Sequence, residues 1–205
     1  MLAGKSGSRN IGRLRITGGM LKGRTIAVAA EATARYTSSK VREAIFNLLG
    51  TIEGTRILDL FAGSGSFAIE ALSRGASSAT CVEIDRDMER LLLKNLESLS
   101  LNNCCDVILM DVVYAIPFLY KKASLYDIIF MDPPYERGRI EETMSLLKTH
   151  RIHCPEARII VESSKRELRA LADLQGCHES KYKRYGDTVI TIISAGHNSV
   201  SRSVT

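Results

Sequence analysis

The chain has 205 residues, 45% of them hydrophobic, with 28 lysines and arginines against 23 acids. That length and composition suit one compact domain with a sizeable buried core, and exclude a disordered or fibrous protein. No apolar run approaches the ~20 residues of a membrane helix, and residues 1–30 lack the apolar centre of a secretory signal, so a cytoplasmic protein off the membrane is expected.

The charge is unevenly placed. Residues 1–42 carry nine basic residues and the single acid Glu31, whereas the remainder is slightly acidic. Residues 1–12, mostly Gly, Ser, Lys and Arg, read as a flexible leader. Across residues 13–50 the basic residues interleave with apolar ones and glycines, which predicts an ordered arm and helix facing a polyanion. Its candidate contacts are Arg13, Arg15, Lys22, Arg24, Arg35, Lys40 and Arg42. For Arg42 two readings stand: a solvated helix position, or one beside a ligand cleft.

"SSKVREAIFNLLG" predicts a helix capped by Ser38 or Ser39, with Val41, Ile45, Phe46, Leu48 and Leu49 on one face and Gly50 at its end. "TRILDLF" is a buried strand, followed by the turn "AGSGS" and a helix "FAIEALSR" that Gly75 closes. "ATCVEI" is a second strand and "RDMERLLLKNLESL" an amphipathic helix. "CDVILMD" and "YDIIFMD" are strands flanking the ambiguous "VVYAIPFLYKK", where Pro117 should break any helix. "GRIEETMSLLKTH" is helical, "ARIIVES" a fifth strand, and a short helix is expected around 166–172. "KYKRYGDTVITII" reads as two strands joined at Gly186-Asp187. Residues 196–205 read as a frayed tail. Alternation of this kind predicts an α/β domain over 51–195, a doubly wound and mostly parallel sheet ending in an antiparallel hairpin. The five cysteines (Cys81, Cys104, Cys105, Cys154, Cys177) are odd in number and form no C-x-x-C pair, as expected in a reducing compartment.

Such sheets bind ligands at the carboxyl ends of their strands, and here those ends carry Asp59, Glu83, Asp111 and Asp132. A lone acid after a strand is usually a helix cap or a turn residue, the reading we assign to Asp85 and Asp87. Four acids at four successive strand ends would repel one another unless cations or donors sat among them. Within "DLFAGSGSFA", Gly63, Gly65 and Ala68 form G-x-G-x-x-A between a strand and a helix, a weak pattern by itself but in the right context for a nucleotide loop. Phe61 and Ala62 belong to the same turn. Glu83, twenty residues past Gly63, is spaced to bind two ribose hydroxyls, with Ile84 next to it. NAD would satisfy this much, but its pyrophosphate would face Asp59. S-adenosylmethionine has no phosphate and carries an ammonium and a sulfonium, so the acids favour it. Asp111 can then accept from the adenine amine, with the Val112 N–H nearby.

Asp132-Pro133-Pro134-Tyr135 follows the fourth strand, where the methyl group should lie. Asp132 and the Pro133 carbonyl can accept from an exocyclic amine whose lone pair is otherwise delocalised into a base. The prolines restrict the conformers of those acceptors, and Tyr135 offers a face for stacking. No metal is required. The bland alternative is a proline-terminated strand with an incidental tyrosine.

"LDLFAGSG", "VEIDR" and "FMDPPY" resemble class I S-adenosylmethionine-dependent methyltransferases that act on amines. "RITGGMLKGR", "TSSKVREAIFNLLG" and the closing "RYGDT" resemble, over residues 13–193, the bacterial enzymes that methylate N2 of a guanine in 16S ribosomal RNA. The resemblance implies a seven-stranded Rossmann-like sheet and S-adenosylmethionine as donor, with S-adenosylhomocysteine as product. It also implies a 16S rRNA substrate within a 30S subunit or assembly intermediate. Separately, a monomer is expected. It assigns the cofactor to Asp59, Gly63, Gly65, Glu83 and Asp111, the guanine amine to Asp132–Tyr135, and RNA or cofactor to Arg15, Lys22, Arg24 and Arg42. Residues 1–12 precede the family's usual start, Ser39 stands where an acid is expected, and "MDVV" replaces the commoner Asp-Ala. Two rivals stay open. One is the same chemistry on another amine, adenine N6 in DNA or another RNA, or a protein glutamine. The other is a non-catalytic RNA-binding assembly factor. His150, His153, Cys154, Cys177 and His178 match no common zinc spacing. Lys181, Tyr182, Lys183, Arg184 and Tyr185 either contact RNA or decorate an edge strand.

Overall fold

The computed structural model describes residues 11–29, 39–134, 138–167 and 180–195. Two strands come first, β1 (Ile11–Arg15) and β2 (Thr25–Ala29), followed by α1 (Ser39–Leu49). The alternating body holds β3 (Arg56–Asp59), α2 (Ser66–Ser73), β4 (Ser78–Glu83), α3 (Arg86–Ser98), β5 (Cys105–Leu109), α4 (Val112–Lys121), β6 (Tyr126–Met131), α5 (Arg139–Thr149) and β7 (His153–Ser164). A hairpin, β8 (Ser180–Tyr185) and β9 (Thr188–Ser194), closes the described chain.

Seven strands form one sheet in the order β5-β4-β3-β6-β7-β9-β8, with β3 to β7 parallel and β9 antiparallel to both β7 and β8. This is the expected doubly wound sheet with its antiparallel end. Both faces are covered, which is why the central strands are continuously apolar rather than alternating with polar residues. Ile57, Ile128 and Ile160 point into the core beneath α1, α2 and α3. Leu58, Ile129 and Ile159 point the other way, into the core beneath α4 and α5. Strand order reverses between β3 and β6, the switch point at which such sheets open a crevice.

Residues 11–29, expected only as an ordered basic surface, form a hairpin of their own. It starts at Ile11, inside the stretch read as a leader. The hairpin shares the first core, where Ile16, Ile26 and Val28 pack with Ile45 and Phe46 of α1. Phe46, Phe67 and Phe130 stack in sequence from α1 through α2 to β6, with centroids 5.0 and 3.9 Å apart. Gly18 and Gly19 are pressed against the end of α2, where Met20 N–H donates to the Ser73 carbonyl at 2.7 Å. A Cβ on Gly19, whose φ is +75°, would stand 1.7 Å from that carbonyl oxygen, so only glycine fits.

Three local expectations change. Pro117 does not break α4, which runs through it because Val112, Ala115, Ile116 and Leu119 bury the helix against the sheet. Leu48 faces solvent at 48% exposure, so the buried face of α1 is Val41, Ile45, Phe46 and Leu49, joined by Arg42. The fifth strand begins at His153, four residues before the expected Ala157, with a shift in register against β6 between Tyr126 and Ile128. The helix expected at 166–172 lies largely outside the described residues, as do the possible capping residue Ser38 and the predicted contact Arg35. Asp85 caps α3 as expected, accepting from Asp87 and Met88 N–H groups.

Candidate cofactor and base pocket

The glycine turn follows from β3. Gly63 and Gly65 both have positive φ, 52° and 79°. Gly65 also lets α3 approach, since a Cβ there would meet Leu92 Cδ1 at 2.1 Å. The turn is tied down by its own backbone, with Gly65 N–H donating to Ala62 O at 2.7 Å and Ala62 N–H to Val82 O at 3.0 Å. Asn95 of α3 fastens it from outside, donating to Ser64 O at 2.9 Å while exchanging two bonds with Ala27 of β2. Hairpin and glycine turn thus share one buried amide.

At the switch point lies a cavity of about 550 Å³, within the range of roughly 300–1,000 Å³ usual for small-molecule sites. Of the residues predicted for the cofactor, Phe61, Gly63, Glu83, Ile84, Asp111, Val112 and Asp132 line it, joined by Pro133 and Pro134. Three of the four strand-end acids, Glu83, Asp111 and Asp132, therefore converge. Asp59, Ala62 and Gly65 lie behind this wall instead. Asp59 is 1% exposed, and its Oδ1 has no hydrogen-bond partner. Burial pushes its carboxyl up to about 7, against the pull of the Ala68 and Phe61 N–H groups and with the charge of Glu83 adding to the rise. Tyr135 lies outside the described residues.

Glu83 accepts from Gly63 N–H at 2.7 Å through one oxygen and from the Ile84 and Asp85 N–H groups, both at 2.8 Å, through the other. These bonds fix the carboxylate at the mouth of the turn. Asp111 caps α4, accepting from Val113 N–H at 3.1 Å. Arg139, which was missed in the sequence, also lines the cavity and grips Asp111 at 2.8 Å. Burial alone would raise the Asp111 carboxyl, but the Arg139 guanidinium and Val113 N–H hold it below its ordinary value. A crowd of acids predicted a cation among them, and that was the available signal for Arg139.

Three carboxylates line the cavity, and its arginine is neutralised by Asp111 and by Glu142. A pyrophosphate would meet net negative charge there, whereas a sulfonium and an ammonium would not. The fixed carboxylate of Glu83 and the acceptor Asp111, both on the cavity wall, fit S-adenosylmethionine. Among the described residues, no cluster of three His, Cys, Asp or Glu is placed to hold a metal ion, and no helix is long and apolar enough to cross a membrane.

The predicted polyanion contacts divide. Arg13, Arg15, Lys22, Arg24 and Lys40 are exposed, although Arg24 also donates to the Ser98 carbonyl at the end of α3. Arg42 is 0% exposed and cannot face RNA. It pairs with buried Glu70 at 3.2 Å and donates to Arg15 O at 2.7 Å. Glu70 also accepts from Thr17 and Arg74. The arginine of the first helix is thus an internal strut between arm and body, because burying its partner Glu70 alone would leave an uncompensated charge.

The sheet order, the glycine turn and the acid-lined switch-point cavity define a Rossmann-like methyltransferase. The chain belongs to the family described as Conserved hypothetical protein 95, whose signature matches residues 14–194. It is 42% identical over 153 residues to the Ribosomal RNA small subunit methyltransferase D of Escherichia coli strain K12, covering 74% of this chain and 75% of that one. It is 33% identical to the Putative rRNA methyltransferase YlbH of Bacillus subtilis, covering 87% of this chain and 97% of that one. Among solved structures, the Putative methyltransferase yhhF from Escherichia coli superposes with a TM-score of 0.77 at 35% identity, covering 90% of this chain and 99% of that one.

Proposed function

We propose that the protein transfers a methyl group from S-adenosylmethionine to the exocyclic N2 amine of a guanine in small-subunit ribosomal RNA. The observation that carries this reading is the placement of Asp132 and Pro133 in the same cavity as Glu83 and Asp111, so that amine acceptors and cofactor acceptors share one enclosure. The names of the relatives supply the RNA class.

When bound, S-adenosylmethionine supplies an electrophilic methyl group on a sulfonium. The residues of the chain do the rest. Glu83 accepts from the ribose hydroxyls and Asp111 from the adenine amine. Asp132 accepts a hydrogen of the target amine, drawing the nitrogen lone pair out of conjugation with the base. Pro133 and Pro134 restrict the backbone that carries these acceptors, so little reorganisation remains at the moment of attack. The base must leave its stack to enter, and the exposed Arg13, Arg15 and Lys22 provide charge for the flanking phosphates. A 30S subunit or its assembly intermediate is the proposed form of the substrate.

Radiolabelled methyl transfer to 16S rRNA, 30S subunits and duplex DNA, followed by nucleoside analysis, tests the reading. N2-methylguanine is expected from an RNA substrate, whereas N6-methyladenine would establish the rival amine. Asp132→Ala should lose at least about 10²-fold in turnover while its affinity for S-adenosylhomocysteine stays near wild type. Retained turnover in that variant would overturn the role of Asp132, and no transfer by the wild-type protein would favour an assembly factor.

A further inference from the structure

Arg139 holds Asp111 with two parallel bonds, Nη1 to Oδ1 at 3.2 Å and Nη2 to Oδ2 at 2.8 Å. Its position runs against local helix physics. It is the first residue of α5, where the partial positive charge of the helix N-terminus favours acids, and Glu141 and Glu142 in the same turn follow that preference. Packing does not account for it either. Ile140, Met144 and Leu147 of α5 and Ala115, Ile116 and Leu119 of α4 already share one buried apolar core. An ion pair with 31% and 19% exposure adds little to stability. A residue that breaks a local rule without a packing gain points to function.

The acceptor positions of Asp111 show what that function is. A carboxylate offers about four lone-pair positions. Oδ1 accepts from Val113 N–H at 3.1 Å and from Arg139 Nη1 at 3.2 Å, which occupies both of its positions. Among the described residues, Oδ2 accepts only from Arg139 Nη2 at 2.8 Å. Among the described residues one acceptor position therefore remains. The rigid guanidinium fork fixes the carboxylate plane and so the direction of that position. Arg139 is itself steadied by Glu142, 3.1 Å from Nη1.

We propose that Arg139 is a positioning residue that selects the base of the methyl donor: by clamping Asp111 it leaves one directed acceptor, which an exocyclic amine can satisfy and an oxo group cannot. Adenine presents an N–H donor to it. Hypoxanthine presents a carbonyl oxygen, whose lone pairs oppose the carboxylate. The inference rests on the reading of the cavity as an S-adenosylmethionine site.

Calorimetric titration with S-adenosylhomocysteine and with its deaminated homologue, S-inosylhomocysteine, tests this in wild type, Arg139→Met and Arg139→Lys, with melting temperatures measured alongside. Wild type should prefer the adenine compound by roughly 10- to 100-fold, the range for a hydrogen bond to a charged group. In Arg139→Met, affinity for the adenine compound should fall about tenfold, and the preference should shrink to a few-fold, because the carboxylate can turn. Arg139→Lys, which keeps the charge without the fork, should fall between the two, and it decides the matter if Arg139→Met does not fold. A folded variant with unchanged affinity and preference overturns the proposal. An equal loss for both compounds also overturns it, since that would mark a general role in shaping the cavity. If wild type binds neither compound, the donor reading itself fails, an outcome distinct from the other two.

Discussion

Asp59 illustrates how much a single side chain can hold in reserve. It is buried behind the cavity wall with one oxygen partnerless and its carboxyl raised from 3.8 to about 7. In the unfolded chain it ionises near the ordinary value, so between about pH 4 and pH 7 the folded state binds the extra proton. Stability from this group therefore falls as pH rises through that window, and the penalty is complete above pH 7. Asp59→Asn removes the charge while keeping an acceptor for the Ala68 and Phe61 N–H groups. The ligand-free variant should melt above wild type at pH 8, with the gap narrowing toward pH 4. Thermal denaturation at several pH values checks this, and an equal gap at pH 5 and pH 8 would contradict it.

At the scale of elements, the N-terminal hairpin is joined to the body by close backbone approach rather than by surface charge. Gly18, Gly19 and Met20 dock at the end of α2 occupied by Ser73, roughly 12 Å along the helix from the glycine turn. Gly19→Ala should cost about 2–4 kcal/mol, because a left-handed φ is combined with a clash against backbone that cannot move aside. Gly50→Ala makes the comparison. Gly50 also has a positive φ, +68°, but nothing lies within 4 Å of the added Cβ, so its cost should be only about 1–2 kcal/mol. Chemical denaturation of the two variants measures the difference. Equal costs would mean that the hairpin does not press on α2 in solution.

Across the whole molecule, charge separates into a basic arm and an acid-lined pocket. Arg13, Arg15 and Lys22 are exposed, while Arg42 and Glu70 are paired inside and half-buried Arg74 closes on Glu70 from outside. Replacing the three exposed residues with serine should make the slope of log affinity for single-stranded RNA against log salt shallower by about 2, at roughly 0.7 per phosphate contact. Affinity for S-adenosylhomocysteine should be unchanged. RNA binding measured across a salt series checks both, and an unchanged slope would remove the hairpin from the RNA surface.

The alternation of strands and helices was legible in the sequence because every repeat carries local punctuation: a glycine after α2, an acid before α3, Gly186-Asp187 between β8 and β9. The acids at the strand ends were legible for the same reason, since strand ends can be read locally and parallel strands bring their carboxyl ends to one side. What only the tertiary structure decided depends on partners far apart in sequence. Arg42 reads like any basic helix residue until Glu70 is placed against it, and Arg139 like any surface arginine until Asp111 is. Pro117 reads as a helix breaker until burial of its neighbours outweighs the lost hydrogen bond. Local propensity and spacing determined the scaffold and its ring of acids. Long-range packing and charge pairing determined which cations stay exposed, which belong to the core and which to the pocket, because a charge takes its role from the partner it is buried with.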